Sequence, residues 1–288
     1  MSFITPYFTL PKFTYYKPDS ISEALSLLKQ HNGKARVLAG GVMLVNMMKE
    51  RIALPEYVID LKGIRELKGI NVTESGVEIG STVTASELQQ SDIIKKFCQP
   101  LAKAASYMGD KILQNSVTIG GNISIGMPST DGLPALMSMG ALLEVRSADS
   151  ARMLPSSDLV VNIGRTNLRS DEMITKIIVP NAAESRGTYV KFLNASEIAI
   201  ATVAVSLMLV QKKLRIVVGA ISAKPYYFDE SSIGWRWDEN IKENIKTVAD
   251  AIGSNLKPIS DAVAGSEYRR EVSKILVARA LKELFGGT

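Results

Sequence analysis

Two stretches, Arg36-Val37-Leu38-Ala39-Gly40-Gly41 and Thr118-Ile119-Gly120-Gly121-Asn122, decide how this chain is read. Each sets a glycine pair in a turn, the first after an apolar run and the second after the polar turn around Asn115. Lacking a Cβ, glycine lets the backbone approach a group that any other residue would collide with. Successive N–H groups in such a turn form a concavity that takes phosphate oxygens. A single Gly-Gly after a strand is more often a plain tight turn. Two in one chain point to a diphosphate gripped from both sides. The Gly-x-Gly-x-x-Gly fingerprint and the Gly-Lys-Ser/Thr phosphate loop are both missing, so neither of those dinucleotide or nucleotide folds is indicated.

Working outward, the first sixty residues read as a β-α-β-α-β unit. Ser20 and Glu23 carry a capping-box pattern, Ile21, Ala24, Leu25 and Leu28 share a helical face, and Gly33 ends that helix. Residues 37–39 and 57–60 read as strands around the first glycine pair, and a short apolar helix runs from the pair to Lys49. A second unit spans residues 61–180. It holds a strand at Val77–Gly80, a Thr84/Glu87 capping box, a helix over 101–108, the second glycine pair and strands at 141–146 and 173–179. From residue 181 a three-stranded antiparallel sheet is expected (188–193, 199–210, 214–222). Two helices follow, from Glu239 and from Tyr268, the last with Val272, Ile275, Leu276 and Leu284 at helical spacing. Residues 223–238 read as a loop with packing aromatics. The fold class is α+β in three parts, divided at 1–60, 61–180 and 181–288.

Composition narrows the chemistry. Of 288 residues 46% are apolar and 22% charged, the values of an ordinary globular protein, and the net charge of +5 suits an anionic ligand. Lys and Arg are scattered rather than striped, which argues against nucleic acid. The single cysteine, Cys98, excludes an internal disulfide and any cysteine-ligated cluster held by this chain alone; among Phe97, Leu101 and Ala102 it reads as a core residue. The single histidine, His31, reads as a helix-end cap or a solvated residue, and no acid, base or nucleophile cluster surrounds it. No catalytic or metal-binding set is therefore assigned. Redox chemistry in such a chain has to come from a bound organic cofactor. The longest apolar run, 198–210, is shorter than the ~20 residues of a membrane span. With no apolar leader core near Pro6 and Pro11, the chain reads as cytoplasmic.

The flanks of the glycine pairs are more specific than the pairs. The segment Ala39–Lys49 resembles the first flavin loop of the FAD-binding (medium) subunits of the molybdenum hydroxylases. That family includes carbon monoxide dehydrogenase medium subunit and the FAD domain of xanthine dehydrogenase. Met108–Asn122 is similar to the second flavin loop, with Asp131 in the turn after it. Gly164, Asn167, Leu168, Glu172 and Ile178-Val179-Pro180 match the end of the flavin domain. Tyr189-Val190-Lys191, Gly219-Ala220 and Pro258–Arg269 match the C-terminal domain. The resemblance runs in order through nearly the whole chain.

It implies a two-part FAD-binding domain, a small N-terminal α/β unit plus a larger α+β unit, followed by a C-terminal domain of antiparallel sheet and helices. Carried over residue by residue, the first loop comprises Leu38, Ala39, Gly40 and Gly41 with Val42, Met43 and Leu44. The second comprises Thr118, Ile119, Gly120, Gly121 and Asn122. The resemblance implies that the two loops bracket the FAD pyrophosphate, and that Asp131 accepts from a ribose or adenine-side donor. It further implies that Lys191 stands near the isoalloxazine and that Met108 and Ile174 pack on the cofactor. Val42 and Met43 stand where the family usually has a polar residue followed by Ser or Thr. Gln114 stands where arginine is common, and Asn194-Ala195 where another often occurs. The implied role is an electron-transfer subunit, with the molybdenum cofactor on a large partner and 2Fe-2S clusters on a small one, as a dimer of heterotrimers. A fold-retaining subunit without tight FAD binding and a stand-alone flavoenzyme are the alternatives.

Overall fold

A computed structural model describes residues 9–180, 185–193, 199–208, 212–237 and 240–285. Residues 6, 181, 194, 195, 198, 209, 210, 238 and 239, which figure in the reading above, lie outside that set.

The N-terminal layer is β1 (Thr14–Tyr16), α1 (Ile21–Gln30), β2 (Ala35–Leu38), α2 (Val42–Lys49) and β3 (Tyr57–Asp60). Central β3 pairs in parallel with β1 and β2, so each crossover carries a helix. Ser20 Oγ accepts from Glu23 N at 3.2 Å, but Glu23 reaches back to Asp19 N rather than to Ser20 N. The capping box is thus shifted by one residue. Ile21, Ala24, Leu25 and Leu28 are buried against Ile59 and Ile64, as their spacing requires. His31 is the C-terminal cap of α1, its backbone N–H donating to Leu27 O at 3.0 Å, while its imidazole, half-buried, stacks on Tyr57 at 3.6 Å between centroids and lies 5.4 Å from Tyr16.

The middle layer opens with the hairpin β4 (Ile70–Thr73) and β5 (Gly76–Gly80). Short helices follow: α3 (Ala85–Gln90), α4 (Asp92–Phe97), α5 (Gln99–Ala105), α6 (Lys111–Gln114), α7 (Ile119–Ser124) and α8 (Gly132–Ser138). Then come β6 (Leu142–Arg146), β7 (Ala151–Pro155), the small ribbon β8 (Val160–Asn162) and β9 (Arg165–Thr166), and β10 (Met173–Val179). The sheet order is β4-β5-β10-β6-β7, all pairs antiparallel. The helices cover one face of it, Leu88, Ile94, Leu101, Ile119 and Leu136 packing with Ile79, Leu143 and Ile177. Thr84 and Glu87 form the complete capping box read from their spacing. Cys98 is fully buried here, and burial pushes its thiol up to about 12.

The last part is an antiparallel sheet, β11 (Ser185–Leu193), β12 (Ala199–Met208), β13 (Lys213–Gly219) and β14 (Tyr226–Asp229), backed by α9 (Ile241–Asn255) and α10 (Ser266–Phe285). The sheet has four strands where three were expected, because the stretch read as a loop supplies β14. That strand is four residues long behind Pro225, too short for a periodic signal; Phe228 points inward and Tyr227 is 43% exposed. On α10 the buried stripe is Val272, Leu276, Ala280 and Leu284, while Ile275 is 60% exposed, contrary to the expected apolar face. The aromatics do anchor: Trp235 stacks on Phe285 at 4.8 Å.

Candidate functional site

The first glycine turn joins β2 to α2. Gly41 has φ +78, a left-handed conformation that lets the chain turn into the helix. As the residue before the helix it carries no side chain to cap it. The amides of Gly40, Gly41, Val42, Met43 and Leu44 donate to no protein acceptor among the described residues; the first to return is Val45 N, to Gly41 O at 2.9 Å. Five successive unused N–H groups at a helix start form an anion-binding concavity. Leu38, Ala39, Val42 and Leu44 are half-buried around it, and Met43 is 46% exposed.

The structure brings this turn onto the second one. A Cβ on Gly40 would lie 1.7 Å from Ser116 O and 2.7 Å from its carbonyl carbon. Backbone lies on backbone, two residues before Thr118. Segments nearly eighty residues apart thus form one feature, and only glycine permits it.

The second turn is built differently. Ile119 N donates to Val83 O and Gly120 N to Ser81 O, both at 2.9 Å. Gly121 N donates to Thr118 Oγ1 at 3.2 Å, and Asn122 N to Thr118 O at 2.8 Å. Its amides are therefore held by protein, and the two turns are not equivalent nests. Gly120 is required by packing, since its Cβ would meet Ser81 at 2.7 Å. Gly121 is exposed, and a Cβ there would meet only the Thr118 hydroxyl, at 2.8 Å. Asn122 Oδ1 accepts from Gly132 N at 3.0 Å, tying this turn to the residue after Asp131.

Asp131 and Lys191 form a buried ion pair, Nζ to Oδ1 2.8 Å, with side chains 5% and 6% exposed. Tyr189 OH donates to Asp131 Oδ1 at 2.6 Å, and Lys191 Nζ donates to Tyr107 O at 3.4 Å. Burial pushes the Asp131 carboxyl above its ordinary range, against the pull of the Lys191 ammonium and the Tyr189 hydroxyl. Tyr189 is held well above the usual phenol range, by burial first and by the Asp131 charge second. The expected ribose or adenine-side acceptor, Asp131, and the charge expected beside the isoalloxazine, Lys191, thus pair with one another in this structure. Met108 and Ile174 are 3% and 5% exposed within the middle core, where their side chains meet protein.

Three contributors were not singled out beforehand or were misread. Tyr189 shares a strand face with Lys191, which period two along β11 makes readable. Ser116 gave no signal, since its part is played by a carbonyl. Gln114, read as a missing arginine, is buried. Its Nε2 donates to Ser106 O (3.0 Å) and Gly109 O (2.9 Å), and its Oε1 accepts from Gln89 Nε2 at 3.0 Å. It braces the segment that leads into the second turn. Among the described residues, no group of three or more His, Cys, Asp or Glu is placed to hold a metal ion.

A helix-start amide nest pressed on the segment before a second glycine turn is the geometry of an anion-binding site. Comparison with known proteins makes this specific. The family described as FAD binding domain in molybdopterin dehydrogenase matches residues 11–182, and CO dehydrogenase flavoprotein C-terminal domain matches residues 191–284. The chain belongs to this family, as an oxidoreductase subunit whose cofactor is FAD. It is 30% identical over 281 residues to the glyceraldehyde dehydrogenase medium chain of Sulfolobus acidocaldarius, covering 95% of this chain and 99% of that one. It is 29% identical over 276 residues to the carbon monoxide dehydrogenase medium chain of Hydrogenophaga pseudoflava, covering 94% and 96%. Its fold superimposes on a chain of reconstituted CO dehydrogenase from Oligotropha carboxidovorans with a TM-score of 0.88, at 26% identity, covering 95% and 98%.

Proposed function

We propose that this chain is the electron-transfer flavoprotein subunit of a molybdenum-containing hydroxylase or dehydrogenase. One observation supports it most: Gly40 lies against the Ser116 backbone, so five free amides open beside the segment that leads into the second turn. That cradle fits the FAD pyrophosphate, which the Gly40–Leu44 amides would hold from one side while the second turn, braced by Thr118 and Asn122, walls the other. Backbone amides do this without a hydroxyl at position 42 or 43. Lys191 would supply positive charge toward the cofactor. When bound, FAD supplies the one- and two-electron chemistry that links iron–sulfur clusters to an external acceptor. The clusters belong to a small partner and the molybdenum to a large one, a division suggested by the name medium chain in the relatives and by the single cysteine here. A dimer of such heterotrimers in the cytoplasm, with this chain divided at residues 60 and 180, completes the reading. No described helix is long and apolar enough to cross a membrane.

The purified chain incubated with excess FAD and desalted should retain the visible absorbance of bound flavin. A colourless product would leave the fold-retaining subunit without cofactor as the correct reading. Gly121→Val should lose that absorbance while its denaturation midpoint stays near the parent's, because the added atoms meet one hydroxyl and otherwise project outward. Full flavin retention in that variant would show that the second turn does not wall the cofactor.

A further inference from the structure

Helix α2 starts at the amide nest and ends eight residues, or about 12 Å, further on at a different feature. Arg51 has φ +62 and turns the chain out of the helix. The amides of Ile52 and Ala53 donate to Met47 O at 2.9 and 3.1 Å, and Glu56 N donates to Lys34 O at 3.1 Å. The loop is thus pinned at both ends. Between it and the start of β2 lies a groove of about 380 Å³, within the roughly 300–1,000 Å³ of small-molecule sites. Met47, Ile52, Leu54 and Pro55 form its apolar wall. Ile52 and Leu54 are 66% and 63% exposed, so two large aliphatic side chains share one concavity instead of being scattered singly over the surface.

The charged lining is equally particular. It consists of Lys34, Arg36 and Glu56, and Lys34 Nζ is taken by Glu56 at 3.0 Å. Arg36 has no carboxylate partner among the described residues. Its Nη1 donates to Gly33 O at 3.0 Å and to Ala35 O at 2.9 Å, which fixes the guanidinium. Nε and Nη2 have no acceptor among the described residues. Those two nitrogens share the edge whose parallel N–H groups match both oxygens of a carboxylate. The groove therefore sets one unpaired positive charge beside an apolar wall.

We propose that this groove binds a small monocarboxylic acid with an aliphatic or aromatic body, its carboxylate on the free edge of Arg36 and its body against Ile52 and Leu54. A dianion suits it less, because Glu56 repels a second negative charge and the apolar wall offers no further donor. The groove lies at the far end of α2 from the Gly40–Leu44 amides, so it is separate from the cofactor cradle and stands whether or not FAD occupies that cradle.

The test is calorimetric titration of the purified chain with acetate, butyrate, hexanoate and benzoate, and with the uncharged hexanamide and benzamide. The acids should saturate a single site, with affinity rising from acetate to hexanoate by up to roughly fourfold per methylene. The amides should bind about tenfold more weakly than the matching acids, and Arg36→Met should weaken hexanoate about tenfold, the effect of losing one charge-assisted pair. Leu54→Gln should flatten the dependence on chain length and leave acetate unchanged. Both side chains are exposed, so both variants should fold and hold as much flavin as the parent. Saturation by none of the acids, equal binding of acid and amide, or undiminished binding to Arg36→Met would overturn the site. Loss of flavin from Arg36→Met would join Arg36 to the cofactor cradle and end the claim of a separate site. Self-association of the parent that Ile52→Asp abolishes would put a second copy of the chain in the groove, against the small acid.

Discussion

Gly40 concentrates the fold's demands into one position. Its Cα faces the Ser116 carbonyl, so any side chain requires the two glycine turns to separate. Gly40→Ala should destabilise the chain by at least the roughly 1–3 kcal/mol typical of overpacking, and should release FAD as well. Urea denaturation with absorbance of the desalted protein would show both. Gly265→Ala is the matched control: a Cβ there meets nothing within 4 Å, and its stability should stay within ~0.5 kcal/mol of the parent. Equal losses in the two variants would mean that the Ser116 contact does not matter. At this scale the sequence was half legible. The need for glycine at 40 could be read, but its reason was taken as a ligand's approach when the nearest neighbour is the chain's own backbone.

Among the elements, the four-residue helix α6 is the clearest case of stability coming from side-chain bridges. It is far too short to persist by its own hydrogen bonds. Asp110 caps it, accepting from Leu113 N at 2.8 Å, and Gln114 ties its end to Ser106, Gly109 and Gln89. Gln114→Ala removes the donor to the part-buried Ser106 and Gly109 carbonyls and the acceptor for Gln89, at a cost of about 0.5–1.5 kcal/mol per bond. A lower denaturation midpoint at unchanged m-value would confirm it, because the surface exposed on unfolding stays the same. An unaltered midpoint would show that water replaces the amide freely. The resemblance marked this position only by the arginine it lacks, and what the glutamine does there follows from its own bonds. Elements with strong local signals fared better. Strand β10 and the Thr84/Glu87 cap were readable, whereas β14 forms only because β13 offers it a partner.

For the whole molecule, carboxylates held by strong donors govern the response to acid: Asp60 and Glu172 are buried and Asp261 is exposed. Glu172 takes a two-pronged bond from Arg152 at 2.9 and 3.0 Å, Asp261 takes both oxygens' bonds from Arg269 at 2.8 and 2.9 Å, and Asp60 accepts from Tyr15 OH and Lys62 N. Burial pushes each carboxyl upward, but these donors outweigh it, and all three sit below the ordinary carboxylate range. A carboxyl lowered on folding contributes stability above its unfolded value, and that stability is lost as pH falls through the folded one. Asp131, raised on folding, acts in the opposite direction. Thermal midpoints should therefore fall on acidification below about pH 4, and Glu172→Gln should flatten that fall while lowering stability at neutral pH. Circular dichroism melts across a pH series would test this. A slope unchanged in the variant would assign the acid response elsewhere.

Taken alone, the sequence determined the three-part α+β plan, the two glycine turns, the core status of Cys98 and, through its motifs, the flavoprotein family. These are carried by period, caps and short-range spacing, which neighbouring residues impose on one another. Only the tertiary structure decided that the turns are unequal, one with free amides and one with its amides already bonded. It also decided that Asp131 and Lys191 are partners, and that Gln114 and His31 are internal supports. Each of those depends on segments distant in the chain meeting at a few ångströms, and hydrogen-bond and packing geometry exists only once the layers have closed.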